Sequence, residues 1–99
     1  MSRVATYRVG PLLARRTPFT THGALSAVPY ARSETGRLPI DWAACYREDS
    51  PRIVLTVLSY ATPIAWVRDD GLAVIPNVFY SFTSLRHQRL CHEWLNTEE

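Results

Sequence analysis

The 99-residue sequence contains no lysine, only two cysteines and only four glycines. The glycines never gather into a phosphate-cradling loop, and neither GxSxG nor HExxH occurs, so the familiar nucleotide-binding, hydrolase and metalloprotease signatures are excluded. Cys45 and Cys91 stand far apart without a CxxC, so there is no redox-dithiol or zinc-ribbon signal; two distant thiols in such a chain read as buried free cysteines, with a disulfide between them as the alternative. No apolar run approaches the roughly 18 residues of a membrane span. No charged-then-apolar leader opens the chain, so a cytoplasmic protein without a membrane partner is expected. Internal repeats and low-complexity tracts are lacking too, which rules out a solenoid or a collagen-like chain. The length rules out a two-domain enzyme.

What is present is the composition of a folded domain. Hydrophobic residues make up 46% and charged residues 20%, a balance that separates it from disordered tails. A chain of this length buries roughly two thirds of its unfolded surface, enough for one core. All 11 basic residues are arginine. GC-rich codon usage and selection for fork-shaped phosphate donors both produce that bias. Residues 1–33 carry five arginines and no acid, whereas residues 34–99 are net acidic. A basic arm over residues 1–18, followed by a single β-rich domain over 19–99, is the organisation this implies. The arm is an electrostatic footprint for nucleic acid or an acidic protein, or else a solvated extension.

The hydrophobic pattern gives an α+β fold. Within the arm, Leu12 to Arg16 reads as one helical turn after Gly10-Pro11. Ala24 to Tyr30 reads as a strand ended by Pro29. Ile40, Trp42, Ala44 and Tyr46 alternate with Asp41, Ala43, Cys45 and Arg47, which predicts a strand with one buried face. Glu48 to Pro51 is a turn, and Ile53 to Leu58 is apolar on both faces, the pattern of a central strand. Residues 39–59 are therefore expected to form a hairpin. Further strands are expected at 64–68, at 72–75 after the Asp69-Asp70-Gly71 turn, and at 78–82. At residue 84 the period changes. Leu90, Cys91, Trp94 and Leu95 share a helical face with His87, and Arg86, Arg89 and Glu93 lie opposite, with Thr83 or Ser84 as the N-cap. The architecture is a small antiparallel β-meander of about five strands with one C-terminal amphipathic helix (84–95) packed on the sheet.

Candidate chemistry is sparse. His87 and Cys91, at i and i+4, have a spacing seen in zinc sites, but a structural site also requires Cys45 and remote His22; a packed histidine beside a buried thiol is the stronger reading. A Cys91–His pair near a helix C-terminus lacks the field that stabilises a thiolate. No catalytic, metal or cofactor residue is assigned, and no enzyme is expected. For nucleic acid, the candidate contacts are Arg3, Arg8, Arg15, Arg16, Arg86 and Arg89. For a protein interface they are Tyr60, Trp66, Phe79 and Tyr80, because aromatics anchor interfaces. One helix covers one face of a sheet, so the two-sided run at 53–58 needs a second cover: the arm, or a second copy in a homodimer.

Two segments, Ser59-Tyr60-Ala61-Thr62-Pro63-Ile64-Ala65-Trp66 and Tyr80-Ser81-Phe82-Thr83-Ser84-Leu85-Arg86-His87-Gln88, resemble an SYxTPIAW…YSxTTSxHQ pattern. It is found in short uncharacterised proteins of actinobacteria, their phages and mobile elements. Phe82 and Leu85 depart from the smaller residues of that pattern. The resemblance implies a phage or mobile-element setting and a bacterial host cytoplasm, and it brings no activity. Taken together, the expectation is a small non-enzymatic interaction protein that binds a host or phage protein. The alternative is a nucleic-acid-binding regulator using the arginine-rich arm and the C-terminal helix.

Overall fold

The computed structural model describes residues 3–95. Six strands form one sheet in sequential order: β1 (Arg3–Val4), β2 (Phe19–Thr21), β3 (Leu25–Val28), β4 (Ile53–Ser59), β5 (Thr62–Arg68) and β6 (Ala73–Val74). β1 runs parallel to β2, and every other pair is antiparallel. Among the described residues three α-helices accompany them, α1 (Gly10–Ala14), α2 (Ile40–Asp49) and α3 (Phe82–Leu95), with 3-10 turns at Thr6–Arg8 and Ser50–Arg52. The fold is α+β, with an open sheet and the C-terminal helix packed against it.

β4 and β5 form the centre because their β-branched and aromatic residues suit a strand buried on both faces. Leu55, Val57, Ile64 and Val67 point to one side, where they pack with Leu13 of α1 and with Cys91 and Leu95 of α3. Ile53 and Trp66 point to the other side and meet Leu38, Ala43 and Tyr46. Both faces are thus covered from within the chain: α1 and α3 on the first, α2 on the second. The cover that the two-sided run demanded is α2, a segment expected to be a strand.

That expectation, and with it the 39–59 hairpin, is corrected by the structure. Residues 40–49 form a helix, entered from Pro39 and carrying Asp41 in its first turn and Arg47 in its last, each at the end where the helix dipole favours its charge. Burial follows the helical period. Ala43 and Tyr46 are buried and Trp42 and Cys45 partly so, whereas Ile40, which headed the supposed strand face, is 82% exposed. Tyr46 fixes the helix through its hydroxyl, which accepts from the Arg32 N–H at 2.6 Å and donates to the Arg32 carbonyl at 2.8 Å.

The expected strand at 78–82 is also absent. The carbonyls of Pro76 and Val78 accept instead from the Gln88 side-chain amide, at 3.3 and 2.8 Å, so this segment is tied to α3 rather than to the sheet. α3 starts at Phe82, two residues earlier than expected. The hydroxyl of Ser81, not that of Thr83 or Ser84, caps it by accepting the Ser84 N–H at 3.1 Å. The basic N-terminal segment is woven into the fold: β1 lies at the sheet edge, and Val9 and Leu13 belong to the core. Asp69 and Asp70 serve the β5–β6 turn as expected. Asp70 accepts the Leu72 N–H, and both carboxylates pair with Arg52 at 3.1 Å.

Candidate functional site

Two depressions adjoin on the first face, at the end where the β4–β5 hairpin meets the start of α3. They share Tyr60 and Thr83. The hairpin turn is the element between them. Tyr60 and Ala61 adopt φ of 53° and 69°, the pair of positive values that a two-residue hairpin turn requires. For residues other than glycine each such conformation costs about 1–3 kcal/mol, and such strain concentrates at functional sites. The turn holds the Tyr60 ring out at 62% exposure, at the border of both depressions.

The larger depression is a groove of about 630 Å³. Tyr7 and Tyr60 flank it; Ala24 and Leu90 supply apolar floor; Arg86, Arg89 and Glu93 line it from the exposed side of α3. Tyr7, on the 3-10 turn Thr6–Arg8, is 85% exposed. The smaller is a cavity of about 330 Å³ lined by Arg37, Ser59, Tyr60, Thr62, Tyr80, Ser81, Thr83 and Ser84.

Behind the wall shared by the two depressions runs a buried chain of polar groups. The Ser59 hydroxyl lies 2.9 Å from the Ser84 hydroxyl and 2.8 Å from His87 Nδ1. Burial, with Arg86 adding to it, holds the His87 imidazole below its ordinary pKa, so the ring is neutral near pH 7. A serine beside a neutral imidazole has the distance of a nucleophile–base pair. Ser59 is only 1% exposed, however, and among the described residues no carboxylate is hydrogen-bonded to the ring. The arrangement suits a structural polar chain better than an attacking one. Burial pushes the Cys91 thiol up to about 12, which leaves no thiolate at neutral pH. Among the described residues no three His, Cys, Asp or Glu side chains group to hold a metal ion.

His87 makes stability pH-dependent. Above its ordinary value of 6.5 the ring is neutral in both folded and unfolded chains. As pH falls through that value the unfolded chain takes up the proton first, so stability should drop until the lowered folded pKa is reached. The urea midpoint should be lower at about pH 5.5 than at about pH 7.5, and His87→Asn, whose amide reaches the Nδ1 position, should flatten most of that drop. An unchanged drop in the variant would assign it to other groups.

The sequence-derived candidates fall into different surroundings. Of the six arginines, Arg86 and Arg89 line the groove. Arg16 is spent on structure: with φ of 56° it donates to the carbonyls of Leu13, Ala14 and Leu95, tying the ends of α1 and α3 together. Arg3, Arg8 and Arg15 are exposed and line neither depression. Of the four aromatics, Tyr60 and Tyr80 lie at the site. Phe79 is exposed and packs edge-on against Phe82, with ring centroids 5.4 Å apart. Trp66 is 0% exposed and belongs to the core, so it offers no surface to a partner of the folded chain. Sequence reasoning did not pick out Tyr7, Arg37, Thr62 or Ser81. The clue for Thr62 and Ser81 was the density of hydroxyl residues in segments 59–66 and 80–88; Arg37 and Tyr7 had none.

The profile of one family matches residues 11–99, taking in both of those segments, the cavity and α3. The chain belongs to DUF8033, a family of unknown function. No curated protein and no solved structure matches it. For this DUF8033 member, then, function has to be argued from the two depressions.

Proposed function

We propose that the chain is a small non-enzymatic interaction protein whose groove receives a segment of a protein partner. The observation that carries this is the groove itself: a partly apolar trough between exposed Tyr7 and Tyr60, rimmed on α3 by Arg86 and Arg89 against a single Glu93. Tyrosine and arginine are the residues that anchor interfaces, because each brings large contact area together with polar groups. The rim favours a partner segment that joins acidic side chains to an apolar anchor. The resemblance of segments 59–66 and 80–88 to proteins of actinobacteria, their phages and mobile elements supports a host or phage protein as the partner, met in the bacterial cytoplasm.

A second reading is nucleic-acid binding. Its support is the same pair of tyrosines, able to stack bases, beside Arg86 and Arg89, with Arg3, Arg8 and Arg15 exposed on the surface.

Panning a random peptide library against the folded chain, with anisotropy of labelled DNA in parallel, separates the two readings. Enriched peptides should carry acidic and apolar residues, and should lose binding by about tenfold or more in Tyr60→Asn and in the Arg86→Ala/Arg89→Ala double variant. Asparagine tolerates the positive φ at position 60, so that variant isolates the ring. Between 50 and 200 mM salt, binding should lose far less than a DNA complex would. DNA binding that falls several-hundredfold over the same range, as about five phosphate contacts dictate, with no peptide enriched, would replace this reading by the second.

A further inference from the structure

We propose that the smaller cavity is an oxyanion site: the pocket between Arg37, the β4–β5 hairpin and the first turn of α3 takes a phosphate-class anion. The inference stands apart from the groove reading and holds whatever the groove receives.

The lining chemistry carries it. All eight lining residues bear a hydroxyl or a guanidinium, and none bears a carboxylate. Arg37 is exposed and makes no ion pair among the described residues; its guanidinium carbon sits 5.9 Å from the centre of the Tyr80 ring. It is thus a cation held at the cavity by an aromatic face and left without an anion.

The hydrogen-bond inventory gives the same direction. Thr62 Oγ1 accepts the Arg37 N–H at 2.9 Å, and Ser81 Oγ accepts the Ser84 N–H at 3.1 Å. Each of these hydroxyls spends a lone pair and keeps its proton to give. The Tyr80 hydroxyl oxygen is buried and has no partner among the described residues. Burial raises the Tyr80 pKa, so the phenol keeps its proton as well. An unpaired buried hydroxyl of this kind is unfavourable unless a ligand or water satisfies it. Ser84 Oγ is bonded to Ser59 and sits at the cavity wall. In the tautomer where His87 Nδ1–H donates to Ser59, Ser59 donates to Ser84, and the Ser84 proton is free for the cavity.

α3, 14 residues long, opens at this pocket, with Ser81, Thr83 and Ser84 of its start in the lining, so the positive end of its dipole adds to the guanidinium. Donors converge from the hairpin, from the segment before α3 and from α3 itself. That is more directions than the two oxygens of a planar carboxylate use, and it suits a tetrahedral, acceptor-rich anion. A neutral polyol would leave the guanidinium and the dipole unanswered.

The test is an amide and guanidinium NMR titration of the intact chain at constant ionic strength. Inorganic phosphate, phosphoserine and adenosine monophosphate are added separately, with chloride as the control. Shifts are expected at Thr62, Tyr80, Thr83, Ser84 and the Arg37 side chain, with a Kd of about 1 mM or tighter. Arg37→Ala should weaken binding about tenfold and Tyr80→Phe several-fold, with the folded spectrum otherwise kept. Inorganic phosphate binding as tightly as the esters would make the free anion the ligand. An ester binding about tenfold more tightly, with shifts running on to Tyr60 and Leu90, would show that the phosphate arrives on a carrier lying in the groove. No shift at about 20 mM phosphate, or shifts that survive Arg37→Ala unchanged or follow Arg86 and Arg89 alone, would overturn the proposal. Tyr7→Ala tells its failure from that of the groove reading, since Tyr7 flanks the groove alone and inorganic phosphate should still bind once that flank is lost.

Discussion

Trp66→Ala should remove about 3–5 kcal/mol of stability, the range for emptying a fully buried tryptophan site. The indole is 0% exposed and fills the second face of the sheet with Leu38, Ala43, Tyr46 and Ile53 around it. Its edge meets the Tyr46 ring at a centroid distance of 5.1 Å and an interplanar angle of 74°. Its N–H donates to Asp49 Oδ2 at 3.0 Å. One side chain thus joins the centre of α2, the end of α2 and the middle of β5. Alanine opens a cavity and also strips a hydrogen bond from a partly buried carboxylate whose remaining partner is Arg68 at 3.7 Å. Total stability for a domain of this kind is about 5–15 kcal/mol, so the loss is a large share of it. The melting temperature should fall by about 15–30 °C. Trp66→Phe, which keeps most of the packing and loses the N–H, should cost clearly less. Urea unfolding of the three proteins measures both effects. A loss below about 1 kcal/mol for Trp66→Ala would mean that α2 is not fastened to the sheet through this residue.

The same residue shows where sequence reasoning stops. Tryptophan serves equally as a core residue and as an interface anchor, and alternation along one strand does not tell which face a distant helix covers. Placing Trp66 required knowing that residues 40–49 are a helix. Ile40, Trp42, Ala44 and Tyr46 fit a period of two, yet Trp42, Ala43, Cys45 and Tyr46 fit a helical face just as well. Short segments of this kind are decided by what they pack on, and here a sheet face with no other cover selected the helix. α3 was legible because one helical period runs over enough residues to exclude a strand, and β4 and β5 because short β-branched apolar runs bounded by turn residues suit a strand buried on both faces. The strand expected at 78–82 failed for a different reason. Its first carbonyl, that of Val78, is claimed by the Gln88 side chain ten residues further on, and no local pattern encodes that.

The candidate site was legible in pieces. Ser59, Thr62, Ser81 and Ser84 lie in the two segments that stood out in the sequence, but there Ser59 and Thr62 fell between two expected strands, Ser81 inside a third and Ser84 at a helix cap. Their hydroxyls meet only because the β4–β5 turn and the start of α3 come to the same end of the sheet. Tyr-Ala is not a pair that announces a positive-φ hairpin, so even the turn was hidden. Arg37 is brought in by a loop whose position depends on a glycine.

That glycine gives the second large effect. Gly36→Ala should cost about 2–4 kcal/mol and should weaken phosphate binding as Arg37→Ala does. Gly36 has φ of +54°, and a Cβ there would lie 2.8 Å from the Thr62 Cα and 3.0 Å from the Ala61 carbonyl oxygen. These are backbone atoms of a tight turn already held at positive φ, and they cannot swing aside as a side-chain tip can. The loop would have to lift off the hairpin. The Arg37 N–H would then lose Thr62 Oγ1, and its guanidinium would leave the Tyr80 ring. Gly71→Ala is the control. Its φ is +90°, so it carries the conformational penalty, but nothing stands within 4 Å of the added Cβ. It should cost only about 1–2 kcal/mol and leave phosphate binding untouched. Urea unfolding and phosphate titration of both variants give the answer. Equal costs at positions 36 and 71 would mean that the loop does not rest on the hairpin. A Gly36→Ala protein that binds phosphate as before would mean that Arg37 reaches the anion without the contact that holds its backbone against Thr62.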